Sequence, residues 1–230
     1  MIRARIGFVV PSSNPTMERL FNSTGLLAAL GISAVCTRVS VRAMDEAAVA
    51  EPQFTASNLA DAAELLGECE CDLITWAGTT GFWLSEAADD EIVSAMAERT
   101  GVPATSTHRA VLAALDDVGA RRIGLYTPNS AALHQRVLDH LSRKGFGIDA
   151  DAQGGITRNL DFAKIPQSEL DATINELAGA EGRPVAVVST NVSTAVECAV
   201  DSAIATVWQA ACLAGATTTY RQAHRAARDE

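Results

Sequence analysis

Two stretches half a chain apart begin alike. Ile6-Gly-Phe-Val-Val-Pro-Ser-Ser-Asn14 and Ile123-Gly-Leu-Tyr-Thr-Pro-Asn-Ser130 each carry an apolar strand into a polar turn. Each then enters a helical stretch that closes on a Gly-Ile step, Gly31-Ile32 and Gly147-Ile148. The spacing is about 117 residues at one end of the unit and about 116 at the other, an internal repeat of half a chain. A second echo joins Trp76-Ala-Gly-Thr-Thr80 to Ser189-Thr-Asn-Val-Ser193. The repeat predicts an α/β protein of two similar lobes, each a parallel sheet flanked by helices. A pseudo-twofold would relate the lobes, with an active-site cleft between them. The division falls near Val118-Gly-Ala120, giving lobes 1–117 and 118–230. No Pro/Gly/Ser-rich linker marks it, so the lobes are expected to pack together.

Apolar runs of four to six residues alternate with helical periodicity throughout. Strands are predicted at Arg3–Val10, Ser33–Val41, Asp72–Trp76 and Pro103–Thr105, then at Arg122–Tyr126, Ile148–Gln153, Val185–Ser189 and Ala199–Asp201. Helices are predicted at Thr16–Ala29, Ala56–Glu68, Glu86–Thr100, His108–Asp117, Ala131–Lys144, Ser168–Ala178 and Ile204–Ala214. A short one is added at Val192–Cys198. Ser106-Thr107 reads as an N-cap. Gly31, Gly101 and Gly147 stand where left-handed C-caps are wanted. Arg221–Glu230 reads as a frayed tail or a final helical turn. The irregular segments Arg42–Phe54 and Gly154–Ile165 are long enough to wall or cover a cleft.

The chain has 230 residues with 48% hydrophobic and 20% charged side chains, enough for a substantial core. A net charge of −10 argues against nucleic acid or an anionic membrane as partner. No run of about 18 apolar residues occurs, so no membrane span is predicted. The sequence enters a strand without a signal-peptide pattern, and a cytoplasmic location is expected. Five cysteines, an odd number, fit a reducing compartment better than a disulfide framework. Cys69 and Cys71 have no second Cys/His pair at ligand spacing, and the remaining thiols sit in apolar patterns. They are read as structural, with no metal and no cofactor.

In parallel α/β sheets, ligands collect at the carboxyl ends of strands. Those ends carry Ser12, Ser13 and Asn14; Gly78, Thr79 and Thr80; Tyr126, Thr127 and Asn129; and Thr190, Asn191 and Val192. Hydroxyls, amides and backbone N–H groups dominate, almost without charge. Such a set suits a carboxylate, or the enediolate oxygens formed when an acid loses CO₂ or a proton. Capping explains each residue singly; four such clusters at equivalent positions point to a site for a small carboxylate.

Here the chain resembles the aspartate/glutamate racemase superfamily, within it the maleate isomerase and arylmalonate decarboxylase branch. The resemblance rests on Pro11-Ser-Ser-Asn14 with Thr16 and Glu18, on Tyr126-Thr-Pro-Asn129, on Asn159 and on Ala205-Thr-Val-Trp208. It implies a cofactor-independent decarboxylase, a lyase, or an isomerase of small carboxylic acids, and a homo-oligomer. It also implies two cysteines facing each other across the substrate. At the matching strand ends this chain has Gly78 and Asn191, with Thr190 in the second place if the alignment slips by one residue. Racemisation and thiol-dependent isomerisation need a thiolate; decarboxylation needs chiefly a desolvated carboxylate and a donor cage. Tyr126, Asn191, Thr79 and Thr80 are then the catalytic candidates. Ser13, Asn14, Gly78, Asn129, Asn159, Thr190 and Val192 are the candidates for substrate binding. Loss of a side chain at Gly78 leads us to expect a larger cavity beside Trp76, Phe82 and Trp83, for a substrate bulkier than maleate.

Two other readings stand beside this one. The chain could be a carboxylate-binding or regulatory protein that kept the cage without the chemistry. Or it could hydrolyse a small amide or ring compound with water activated by His108, which otherwise reads as a surface residue near a helix N-terminus. His134, His140 and His224 fall on faces expected to be solvated.

Overall fold

The computed structural model describes residues 2–22, 24–41, 43–45 and 52–228. Eight strands form two four-stranded parallel sheets. The first contains β1 (Ala4–Pro11), β2 (Ile32–Val39), β3 (Leu73–Trp76) and β4 (Ala104–Ser106), in the order β2-β1-β3-β4. The second contains β5 (Arg122–Thr127), β6 (Gly147–Gln153), β7 (Val185–Val187) and β8 (Ala199–Asp201), in the order β6-β5-β7-β8. The orders are identical, so the internal repeat is a repeat of topology. The central strands β3, β5 and β7 are almost wholly buried, as strands covered on both faces must be. The outer strands β2 and β6 are only partly covered.

Helices follow every strand but β7: α1 (Pro15–Asn22), α2 (Thr24–Leu30), α3 (Ala56–Gly67), a single turn α4 (Thr80–Trp83), α5 (Glu86–Thr100) and α6 (Thr107–Asp117). Then come α7 (Ala131–Arg143), the short α8 (Asn159–Phe162), α9 (Gln167–Ala178), α10 (Ser202–Leu213) and α11 (Tyr220–Ala226). All eight predicted strands form, within two residues at either end. The helix expected over Thr16–Ala29 is two helices, and the charged end forms α11, closed by a capping box on Thr219 and Gln222. Residues 229–230 and much of Arg42–Phe54 lie outside the described residues.

Two local expectations fail for physical reasons. The left-handed residue after α7 is Gly145, with φ 87°, rather than Gly147, which already belongs to β6. No helix forms over Val192–Cys198, because its amides are claimed by side chains. Thr194 N donates to Asp201 Oδ2 at 2.9 Å and Val196 N to Thr194 Oγ1 at 3.1 Å.

The two sheets are stitched together by the helices that follow their last strands. α10 packs on α6, with the hydroxyls of Thr107 and Thr206 2.7 Å apart, and Thr105 donates to Gln209 Oε1 at 3.0 Å. Tyr220 N donates to Asp117 Oδ2 at 2.9 Å. The buried residues join into one apolar cluster spanning both sheets.

Candidate active site

The pseudo-twofold can be followed bond by bond to the strand ends. Ala77 N donates to Val9 O and Val188 N to Tyr126 O, both at 2.9 Å. The Thr107 hydroxyl, first in α6, donates to Trp76 O, and the Ser202 hydroxyl, first in α10, donates to Val187 O. Trp76 therefore corresponds to Val187, and counting on, Gly78 corresponds to Ser189 and Thr79 to Thr190. Sequence reading set Asn191, or Thr190, across from Gly78. Within the fold the equivalent residue is Ser189.

Gly78 and Ser189 share a small hollow of about 20 Å³ with the surrounding side chains as they stand, so a diacid fits only as the rings of its apolar wall give way. Its polar wall holds Thr79, Thr80, Asn129, Asn159, Ser189 and Thr190. Its apolar wall holds Val41, Met44, Phe54, Trp76, Trp83 and Phe162, with Pro11 and Gly78 completing it. The segments predicted as walls meet over it: Met44 N donates to Thr157 O at 2.7 Å, and Ala43 bridges Arg158.

The hydrogen-bond directions decide what the polar wall offers. Trp76 Nε1 donates to Thr80 Oγ1 at 2.8 Å, and Trp83 Nε1 to Thr79 Oγ1 at 3.4 Å. Indole N–H can only donate, so each threonine keeps its own proton for another acceptor. Ser189 Oγ likewise accepts from Asn191 N at 3.2 Å and keeps its proton. Among the described residues, no protein acceptor takes the backbone N–H of Gly78, Thr79, Ser189 or Thr190. Asn129 is buried, and its Oδ1 has no partner. The result is an uncharged, donor-rich cavity.

Other predicted site residues stand behind this wall and brace it. Asn14 caps α1, its Oδ1 accepting from Thr16 N and Met17 N at 3.0 and 3.1 Å. Its Nδ2 donates to Thr190 Oγ1 at 2.9 Å, and Thr190 donates to Ala77 O at 2.9 Å. Thr190 thus lines the hollow with its hydroxyl fully committed. Asn191 Nδ2 donates to Asn159 O at 2.6 Å and Ser13 O at 3.1 Å, while Asn159 Nδ2 donates to Ser13 Oγ at 2.7 Å. Val192 is buried beside them. Tyr126 sits at the end of β5 with its pKa raised by burial and by Glu169 of α9; it does not line the hollow.

Two expectations are corrected. Gly78 does not enlarge the cavity: a Cβ there would lie 2.2 Å from Cζ2 of Trp76, whose buried indole already fills that space. Phe82 faces away from the hollow wall, making edge contacts with His108 and His140 at 4.9 and 5.3 Å.

The histidines are the second correction. All four are buried. His108 Nε2 lies 2.9 Å from His140 Nε2, and its Nδ1 lies 3.4 Å from Asp89 Oδ2. This chain runs behind α4, where Gly81 lies so close that a Cβ would be 2.5 Å from the His108 ring. His134 links Thr127 Oγ1 at 2.9 Å to Asp151 Oδ2 at 3.0 Å. Burial pushes His140 and His224 down to about 4, so both are neutral at pH 7. None lines the hollow.

No cysteine lines it either. Cys71 lies against β1 near Gly7, Cys212 Sγ contacts Thr218 O, and burial raises the thiol pKa of Cys71, Cys198 and Cys212. Among the described residues no three His, Cys, Asp or Glu side chains cluster as metal ligands, and no helix is long and apolar enough to cross a membrane.

Twin parallel sheets meeting at a neutral, donor-rich hollow are a fold shared with solved maleate isomerases and arylmalonate decarboxylases. The chain belongs to the arylmalonate decarboxylase family, whose model matches residues 40–226. No curated protein sequence matches it. Among solved structures it is similar to maleate isomerase Iso from Pseudomonas putida S16, with a TM-score of 0.77 and 18% identity over 90% of both chains. A mutant of the Nocardia farcinica maleate cis-trans isomerase with a covalently bound succinylcysteine intermediate gives 0.77 and 21%, again over 90% of both. A double mutant of arylmalonate decarboxylase in its liganded form gives 0.75 and 22%, over 94% of this chain and 97% of that one. At such identities these likenesses speak for the fold.

Proposed function

We propose that the protein is a cofactor-independent enzyme acting on a small carboxylic or dicarboxylic acid in the hollow, by decarboxylation and without a thiol pair. The carrying observation is the set of unclaimed donors. Among the described residues, the amides of Gly78, Thr79, Ser189 and Thr190 and the hydroxyl protons of Thr79, Thr80 and Ser189 have no protein acceptor. A carboxylate that loses CO₂ leaves its electron pair on the neighbouring carbon, delocalised into the remaining carboxylate as an enediolate. Donors fixed in a water-poor hollow stabilise that charge as it develops, each worth about 10²- to 10³-fold in rate. The indoles of Trp76 and Trp83 and the rings of Phe54 and Phe162 supply the apolar surface that strips water from the departing carboxylate. The proton that replaces CO₂ comes from water in this scheme, since no histidine or cysteine lines the cavity. Asn14, Asn159 and Asn191 hold the donor-bearing turns in register.

The family relationship and the fold support this reading, as does the hollow's position at the strand ends. A panel of substituted malonates, maleate and related diacids, followed by NMR for CO₂ loss or isomerisation, tests it. Turnover should fall at least tenfold in Thr79→Val, Thr80→Val and Ser189→Ala. Tight binding with no product over hours would instead establish the carboxylate-binding reading, whose supporting observation is the absence of a thiol from the hollow. Hydrolysis through His108 loses ground because that ring is engaged with Asp89 and His140 behind α4.

A further inference from the structure

A second cavity, of about 370 Å³, opens between α1 and the segment that follows β7. Arg19 of α1 and Arg228 beyond α11 both line it, with Gln167, Ser193, Thr16 and Thr194 between them. Among the described residues no carboxylate lines this cavity, and neither guanidinium pairs with one. Arg19 donates only to Thr16 Oγ1, at 2.9 Å, which leaves most of its fork free. Asp171, the carboxylate behind the wall, already accepts from Thr194 Oγ1 at 2.7 Å and from Gln167 Nε2 at 2.8 Å on the same oxygen. Two exposed guanidiniums on separate elements, neither paired with a carboxylate among the described residues, thus line one cavity. Guanidinium forks match the paired oxygens of carboxylate and phosphate.

We propose that this cavity is a second binding site, for a small multivalent oxyanion held between Arg19 and Arg228. The site is separate from the hollow: Asn191 stands between them, its carbonyl accepting from Thr16 Oγ1 at 3.1 Å and its amide turned toward Asn159. Both carboxylate and phosphate groups present the required oxygens, and the cavity is large enough for either.

Calorimetric titration of the full chain at fixed ionic strength, once with inorganic phosphate and once with citrate, tests the assignment. Saturable binding of at least one anion below about 10 mM is expected. Arg19→Gln and Arg228→Gln should each weaken it about tenfold, and the Lys variants should lose less. Far-UV circular dichroism verifies that each variant is folded. Preference for phosphate identifies a phosphoryl ligand, and preference for citrate a carboxylate one. Thr79→Val, in the hollow, should leave the affinity within about twofold. No saturable binding of either anion, or binding indifferent to both Gln variants, overturns the proposal. Binding lost in Thr79→Val overturns it too, because the anion would then sit in the hollow. None of these results depends on turnover.

Discussion

The two halves share a backbone plan but stabilise its equivalent corners with different chemistry. The helix after β4 begins at Ser106, whose Oγ accepts from Arg109 N at 3.4 Å and donates to Asp89 at 2.7 Å. The helix after β8 begins at Asp201, whose carboxylate accepts from Ala203 N, Ile204 N and Thr194 N at 2.8, 3.1 and 2.9 Å. One cap closes a helix; the other also fixes the loop that carries Thr190 and Asn191. The neighbouring turns differ in the same way. Indoles hold Thr79 and Thr80 and leave their protons free, whereas Thr190 is spent on Asn14 and Ala77. The threonines of the first lobe keep free protons, and Thr190 of the second spends its own on rigidity.

The sharpest break of this comparison is Asp201→Ala. It orphans three buried N–H groups, each costing about 1–3 kcal/mol, so a loss of about 4 kcal/mol is expected by denaturant unfolding. Ser106→Ala, at the equivalent corner, should cost about 1–2 kcal/mol. Equal losses at the two corners would refute the asymmetry.

Acid should act next most strongly, and again mainly through buried groups. His140 and His224 fall to about 4 in the fold from an ordinary 6.5. Their stabilisation is full above pH 6.5 and is lost as pH falls toward 4, because only the unfolded chain takes up those protons. Asp201 runs the other way: burial lifts it to about 6 despite its hydrogen bonds. Its contribution is full below pH 3.8 and is lost as pH rises through 6. Two histidines outweigh one carboxylate, so net stability should drop by roughly 3 kcal/mol between pH 6.5 and 4. His224→Gln should remove most of that slope, since the one remaining histidine and Asp201 then nearly cancel.

Gly78→Ala comes third. The new methyl would meet the Trp76 indole at 2.2 Å, and expelling that ring should cost about 2–3 kcal/mol by thermal unfolding. Trp76→Leu in the same chain should recover much of the loss. Ser189→Ala, at the equivalent position, should cost under about 1 kcal/mol, since it removes only an acceptor for Asn191 N.

The strands were legible because parallel sheets leave short, uninterrupted apolar runs, and the half-chain repeat announced two of everything. The strand ends are legible for the same reason, which singles out Gly78, Thr79, Thr80, Asn129 and Thr190; these line one hollow together with Asn159, which only the family resemblance pointed to. What sequence could not convey is contact between residues far apart. His108 reads as a surface residue until Asp89 and His140, 19 and 32 positions away, close around it. Trp76 reads as a border to open space until its ring folds back over Gly78. The pairing of Ser189 with Gly78 is hidden in sequence because 67 residues separate Val9 from Trp76 but only 61 separate Tyr126 from Val187, so the half-chain spacing does not carry over to the third strands. Met44, Phe54 and Phe162 carried no signal beyond lying in long irregular segments.

The smallest effect on stability separates donors from braces. Thr79→Val and Thr190→Val each exchange a hydroxyl for a methyl of the same shape. Thr79→Val leaves one buried indole N–H, that of Trp83, without its partner; that bond is already long at 3.4 Å, so the variant should lose about 1 kcal/mol. Thr190 leaves Asn14 Nδ2 and Ala77 O without partners in a buried seam, and its variant should lose about 2 kcal/mol. Affinity for a small diacid should show the reverse order, failing in Thr79→Val and persisting, weakened, in Thr190→Val. Such an inversion is specific to a site in which the Thr79 hydroxyl grips the ligand and the Thr190 hydroxyl holds the grip in place. Parallel losses in both variants would mean that the two strand ends contribute alike.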